Sequence, residues 1–155
     1  MATSATPEEV QEVVLPEQQF CAPDAAREIA SSLGIGLEVV PLETLHRAAE
    51  ALLGAALDET TEGRLADENL QARLRMAVLM AHVNRHRGFL LNTSNKTESA
   101  LGYGTLYGDM TGTLCPIADL TKPEIYALAA WIQETRGEQR SPGIIPQFII
   151  DRPPS

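Results

Sequence analysis

An apolar run, GFLL (88–91), gives way to NTSNKTESALGYGTLYGD (92–109), where hydroxyls, amides, a lysine and a glutamate crowd together. Such a set suits a phosphorylated ligand. Thr93 and Ser94 offer short hydroxyls and Asn95 an amide. Glu98 offers a carboxylate able to hold Mg²⁺, an ion bound through oxygen and usually shared with phosphates and water. Glycines at 102, 104, 108 and 112 permit close backbone approach to a ligand or a positive φ. The same pattern also fits a helix start in which Thr93 and Ser94 cap the backbone and Glu98 faces solvent.

TKPE (121–124) reads as a second helix start. Thr121 and Glu124 make a capping box, Pro123 sits in the first turn, and Ile125, Leu128, Ala129 and Ile132 form the apolar face that follows. Lys122 is then a cation at the positive end of a helix dipole, which costs about 0.3–1 kcal/mol. A bound phosphate reverses that sign, and an exposed lysine that tolerates the penalty is the competing reading. Asn69 and Arg73, four apart, share a helix face. Arg73 can present a bidentate fork to a phosphate or carboxylate, although spacing alone favours a solvated surface with Asp67 or Glu68 as its partner. His46, His82 and His86 have no Cys or acidic neighbour at a metal-like spacing and are expected to be structural or exposed. No Ser-His-Asp or Cys-His arrangement can be drawn, so no side chain is assigned a catalytic role. Tyr103, Tyr107 and Trp131 are candidates to stack on a base, with the core as the commoner destination.

The elements that must position these groups follow from periodicity. QEVVL (11–15) reads as a strand, and Pro23 opens a helix with Ala26, Ile29, Ala30 and Leu33 on one face and Gly34 as its stop. IGLEVV (35–40) is a second strand, and Leu42, Leu45, Ala49, Leu52, Leu53 and Ala56 recur at helical spacing. DETTEGRLADEN (58–69) interrupts the pattern with charge and is expected to be a mobile loop. The strongest helix runs from Glu68 to about Val83 on a stripe of Leu70, Leu74, Ala77, Val78 and Ala81. Gly88 is expected to end it and GFLL to begin a buried strand. This order predicts a parallel sheet with covering helices, in which ligands gather beyond the carboxyl ends of strands.

With 155 residues, 44% of them apolar, the chain can bury one core, and its net charge of −9 opposes binding to a nucleic-acid backbone. Cys21 and Cys115 lack a CxxC spacing and are read as reduced, part-buried thiols. The polar N-terminus carries no signal peptide and no run is long enough to span a membrane, so a cytoplasmic location is expected.

The segments LPEQQF and DAAREIASSLGI (within 15–35), ENLQARLR (68–75), LLNTSNKTESALGYGTLYGDMTG (90–112), PIADLTKPEIYALA (116–129) and IPQFIIDRPPS (145–155) together resemble NAD synthetase, specifically the synthetase domain of its glutamine-dependent type. The resemblance implies a Rossmann-like α/β fold of the adenine nucleotide α-hydrolase kind. It implies adenylation of the carboxylate of deamido-NAD by ATP with release of pyrophosphate. Ammonia, drawn from glutamine in the full-length enzyme, then displaces AMP to give NAD. Residue by residue, Thr93, Lys122 and Ser155 match ATP-binding positions, and Asn69, Arg73 and Glu98 match deamido-NAD-binding positions, with Glu98 also the Mg²⁺ candidate. A homo-oligomer formed through the synthetase domain is implied as well.

The departures carry expectations of their own. No Ser-Gly-Gly-x-Asp-Ser pyrophosphate loop occurs in the sequence, nor an amidase domain with its cysteine. Asn92 stands where the family often has glycine, and Pro123 where threonine is usual. The chain is therefore expected to be an internal piece, with residues 1–10 disordered and 11–155 a partial synthetase domain, incomplete as a sheet, marginally stable and inactive alone. A non-catalytic nucleotide-binding or assembly module of the same fold is the alternative. A GMP or asparagine synthetase relative is disfavoured by GYGTLYGDM.

Overall fold

The computed structural model describes residues 9–12, 23–137 and 145–151. In chain order these form β1 (Glu9–Glu12), α1 (Pro23–Leu33), β2 (Gly36–Val39), α2 (Glu43–Leu53), α3 (Thr61–His86), α4 (Lys96–Leu101), α5 (Lys122–Gly137) and α6 (Gln147–Asp151), with a 3-10 turn at Gly54–Leu57. They belong to two compact units, one made of Met1–Pro41 with Pro123–Ser155 and the other of Leu42–Lys122.

In the first unit β1 and β2 pair in parallel, with Glu9 opposite Gly36 and Glu12 opposite Val39. Parallel strands need a crossover, which α1 supplies. Its inner face is Ala30, buried, with Ala26 and Ile29 half-covered, while Leu33 stays exposed. Gly34 stops the helix as expected. At φ +68° it takes the left-handed turn that glycine adopts without strain, and the amides of Gly34 and Ile35 close on the carbonyls of Ser31 and Ala30 at 3.1 and 3.0 Å. The predicted first strand is found two residues early, and residues 13–15 lie outside the described residues. On α5, Ile125, Ala129 and Ile132 are partly covered and Leu128 is exposed. Gln133 reads the backbone of Ile145 in both directions, its Nε2 donating to the carbonyl at 2.7 Å and its Oε1 accepting from the amide at 3.2 Å.

In the second unit the charged stretch 58–69 is helical from Thr61 onward and not a mobile loop throughout. Asp58 accepts from the Thr60 amide at 3.1 Å and from the Thr60 hydroxyl, and Thr60 accepts from the Gly63 amide at 3.1 Å. This cap starts α3 at Thr61, seven residues before the predicted start at Glu68. Glu62 in the first turn and Arg85 and His86 in the last complement the helix dipole. The left-handed stop falls on Arg87, φ +56°, one residue before the expected glycine. Met76 is the buried residue at the centre of the helix, whereas Ala77 and Ala81 of the predicted stripe are exposed.

The inner face of α2 also differs from the predicted one. Leu42, His46 and Ala49 turn inward, and Leu45, Leu52 and Leu53 face solvent. The reason is polar. His46 Nε2 lies 2.7 Å from Asp67 Oδ1 on α3, which fixes the rotation of α2.

GFLL forms no full strand. Leu91 makes an isolated parallel bridge with Leu114, and Phe89 and Leu91 are both exposed. Among the described residues the sheet therefore has two strands, and the wider parallel sheet with covering helices is not found.

Candidate functional site

Helix α4 begins the site. Asn95, buried and extended (φ −118°, ψ 173°), accepts from the Glu98 amide at 3.0 Å, and Glu98 Oε2 accepts from the Asn95 amide at 3.1 Å. This reciprocal capping box satisfies two amides that a helix start otherwise leaves unpaired. The cap thus falls on Asn95, not on Thr93 or Ser94, and Glu98 does not simply face solvent. Its other oxygen, Oε1, accepts from Lys122 Nζ at 3.1 Å, with the two side chains 28% and 32% exposed. Lys122 is the first residue of α5, where the Thr121 capping box predicts the helix to begin. Two backbone ties hold the segments together: Lys122 N–H donates to Thr97 Oγ1 at 3.0 Å and Lys96 N–H to the Leu120 carbonyl at 2.9 Å. The cation that sequence reasoning leaves exposed at a helix start is thus offset by a carboxylate fixed at the start of another helix.

Asn92 supports the loop around this cluster. Only 7% exposed, it donates through Nδ2 to the carbonyls of Asp109 and Thr111, both at 3.1 Å, and accepts through Oδ1 from the Ser94 amide at 2.7 Å. The Cys115 thiol contacts the same Oδ1 at 3.6 Å and the Ser94 carbonyl at 3.4 Å. Thr93 is exposed between these two anchored neighbours. A Cβ at Gly112 would stand 2.5 Å from that of Asn92, and one at Gly104 would stand 2.6 Å from Met110 Cγ. Gly104 and Gly112 let the chain pack on itself, and Gly102 takes the positive φ of +68° that glycine adopts without strain.

The shared face of Asn69 and Arg73 is not merely solvated. Asn69 Oδ1 accepts from the Thr105 hydroxyl at 2.6 Å, and Arg73 Nε donates to the Leu106 carbonyl at 3.1 Å. Asp109 ties the loop from within by accepting from the Thr105 amide. The loop also carries Tyr107, exposed and at φ +62°, a left-handed conformation uncommon for a bulky side chain. The partner expected from spacing, Asp67, is engaged with His46 instead, and its other oxygen accepts from Gln71 Nε2 at 2.8 Å.

The structure therefore joins Glu98 to Lys122, and Asn69 and Arg73 to the 105–109 loop, with Asn92 and Ser94 tying that loop to the segment before α4. Ser155 and Cys21 lie outside the described residues. Tyr103, Tyr107 and Trp131 are exposed and not core. Asn92, Thr97, Thr105 and Asp109 were not found from sequence as supports, since each acts through a contact across a loop and not through a helical or strand period. Both Glu98 oxygens are engaged, Oε2 by the Asn95 amide and Oε1 by Lys122, so an Mg²⁺ ion at this carboxylate would draw most of its ligands from phosphate oxygens and water.

The family model described as NAD synthase matches residues 1–155, the whole chain. A glutamine-dependent NAD(+) synthetase from Xanthomonas campestris is 40% identical over 132 residues, covering 85% of this chain and 23% of that protein. An NH(3)-dependent NAD(+) synthetase from Methanocaldococcus jannaschii is 32% identical over 145 residues, covering 92% and 51%. The solved structure of a glutamine-dependent NAD+ synthetase from Acinetobacter baumannii in complex with adenosine diphosphate superposes with a TM-score of 0.82 at 26% identity, over 93% of this chain and 26% of that one. The chain thus spans about a quarter of the glutamine-dependent relatives it matches. With the family model matched end to end, the chain belongs to the NAD synthase family.

Proposed function

We propose that the chain forms part of the synthetase domain of a glutamine-dependent NAD synthetase, supplying one wall of its ATP and deamido-NAD sites. What supports this reading is the Glu98–Lys122 pair at 3.1 Å, which brings the segment after GFLL to Lys122 within the second unit. In this reading the carboxylate of deamido-NAD attacks the α-phosphorus of ATP, pyrophosphate leaves, and ammonia from glutamine displaces AMP. Pyrophosphate departs with growing negative charge. Lys122 counters that charge, because an ammonium fixed before the reaction needs no reorganisation during it.

Thr93, exposed on a loop whose neighbours are tied, offers its hydroxyl to ATP, and Ser155 is assigned there as well. Asn69 and Arg73 face deamido-NAD; the Arg73 Nε is engaged by the Leu106 carbonyl, which leaves the terminal nitrogens for a ligand. Mg²⁺, held by Glu98 together with the phosphates, neutralises charge on the triphosphate. The domain comprising 11–155, the homo-oligomer and the cytoplasmic location belong to the same reading.

Calorimetry with ATP and deamido-NAD on the chain, and turnover measured after joining it to the preceding and following segments of a full-length relative, test the proposal. The chain alone is expected to make no NAD and the joined protein to restore ATP- and Mg²⁺-dependent synthesis. A joined protein that folds yet makes no NAD would overturn the reading. Ligand binding left unchanged by both Lys122→Ala and Arg73→Ala would overturn the site assignment.

A further inference from the structure

His46, Glu50 and Asp67 bring one imidazole and two carboxylates within 4.8 Å of one another, all within the second unit. The carboxylates meet opposite ring nitrogens: Asp67 Oδ1 lies 2.7 Å from Nε2 and Glu50 Oε2 lies 3.7 Å from Nδ1. These distances separate two roles. Bonds of about 2.0–2.2 Å to nitrogen and oxygen place two ligands of a tetrahedral ion roughly 3.3–3.5 Å apart. The Asp67 contact is shorter than that and is a hydrogen bond. The Glu50 gap is slightly longer and leaves room for an ion between the two atoms.

We propose that His46 Nδ1 and Glu50 chelate a divalent transition-metal ion of the Zn²⁺, Co²⁺ or Ni²⁺ class, with Asp67 as the carboxylate behind the imidazole. With the Nε2 proton directed to Asp67, the Nδ1 lone pair would face Glu50, and Gln71 fixes Asp67 from behind through its contact at 2.8 Å. A carboxylate on the far nitrogen of a ligating histidine sets the tautomer and raises the basicity of the ligand. The four-residue spacing of His46 and Glu50 puts both on one face of α2. An imidazole with carboxylate oxygen selects an ion of borderline softness. Glu50 is 48% exposed, which leaves the remaining coordination positions to water. The spacing of His46 and Glu50 is legible in the sequence, which corrects the reading that His46 has no acidic neighbour at such a spacing; only Asp67, 21 positions from His46, is hidden.

Co²⁺ titration of the full chain, followed by visible absorption, tests the site. The parent for the titration carries His82→Gln and His86→Gln, which removes the other two histidines, themselves stacked four apart on α3. The parent is expected to show a saturating Co²⁺ band. His46→Gln should abolish it, Glu50→Gln should weaken binding about tenfold or more, and Asp67→Asn should weaken it about 10–100-fold with the band shape kept. Zn²⁺ should raise the unfolding midpoint of the parent and leave that of His46→Gln unchanged. Absence of a band at millimolar Co²⁺, or equal binding by Glu50→Gln, whose exposed position tolerates the change, would overturn the proposal. Loss of the band in Asp67→Asn as complete as in His46→Gln would also overturn it, since Asp67 would then be a direct ligand. None of these readouts depends on NAD synthesis.

Discussion

Replacing Glu98 with glutamine separates the two ties its carboxylate makes. The amide keeps an oxygen for the Asn95 N–H, so the capping box survives, but the charge facing Lys122 at 3.1 Å is lost. Both side chains are about a third exposed, at 28% and 32%, so solvent screens the pair and its net value is about 0.3–1 kcal/mol. Glu98→Ala removes the cap as well, a further loss of about 1 kcal/mol. In a Lys122→Met background Glu98→Gln should therefore become nearly neutral, while Glu98→Ala keeps the capping loss. Hydrogen exchange at the amides of Lys96, Glu98 and Ser99 reads the effect, because those amides bond to Leu120, to the Asn95 side chain and to the Asn95 carbonyl at 2.9, 3.0 and 3.0 Å. Equal deprotection by Glu98→Gln and Glu98→Ala, or an unchanged cost of Glu98→Gln beside Lys122→Met, would refute the division into cap and charge.

Gly63→Ala should destabilise by roughly 1–3 kcal/mol in a thermal melt, because the new Cβ would lie 2.2 Å from the Asp58 carboxylate and 2.3 Å from its carbonyl oxygen. An ordinary helical Gly→Ala change gains up to about 1 kcal/mol, so the sign alone decides. Asn92→Asp should be more destabilising than Asn92→Ala by urea denaturation at neutral pH, since a carboxylate would face the Asp109 and Thr111 carbonyls that the amide now satisfies. The Thr60 hydroxyl, and secondarily its backbone N–H, holds the Asp58 carboxyl below its ordinary value. Its folded-state pKa is thus the lower one, so its stabilisation is present above the unfolded value and is lost as pH falls through the folded value. Amide protection in the first turn of α3 should fall over that acidic range in the parent and not in Asp58→Asn.

Features governed by near neighbours were legible in the sequence. The stop at Gly34, the start of α5 at Lys122 and the common face of Asn69 and Arg73 each depend on residues within one or two turns. The start of α3 was missed although its signal is local. Thr60 caps Gly63, and a count of charges in 58–69 obscured a Thr-x-x-Gly cap followed by residues that tolerate a helix. The strand expected of GFLL failed because an apolar run does not specify a pairing partner, and here only Leu91 finds one. Asn92 and His46 were illegible for a different reason. Beside near contacts to Ser94 and Glu50, their other partners lie 17 to 23 positions away, and those contacts leave no period to count. Where the resemblance assigned a role to Glu98 and Lys122, the structure added what joins them.

Helix α4 is six residues long, well short of the roughly 12–15 at which an isolated helix holds its shape in water. Its order therefore comes from its ties: the Asn95 box at the start, and the Leu120 and Lys122 segment alongside. Opening of that segment would part Thr97 and Glu98 from Lys122 together, since both contacts run through α4. A ligand that needs them together meets a competent site only in the fraction of molecules where α4 is closed, and its apparent dissociation constant is the intrinsic one divided by that fraction. Substitutions at Asn95 or Thr97, which need not touch a nucleotide, would then weaken nucleotide affinity by the same factor as they deplete the closed form.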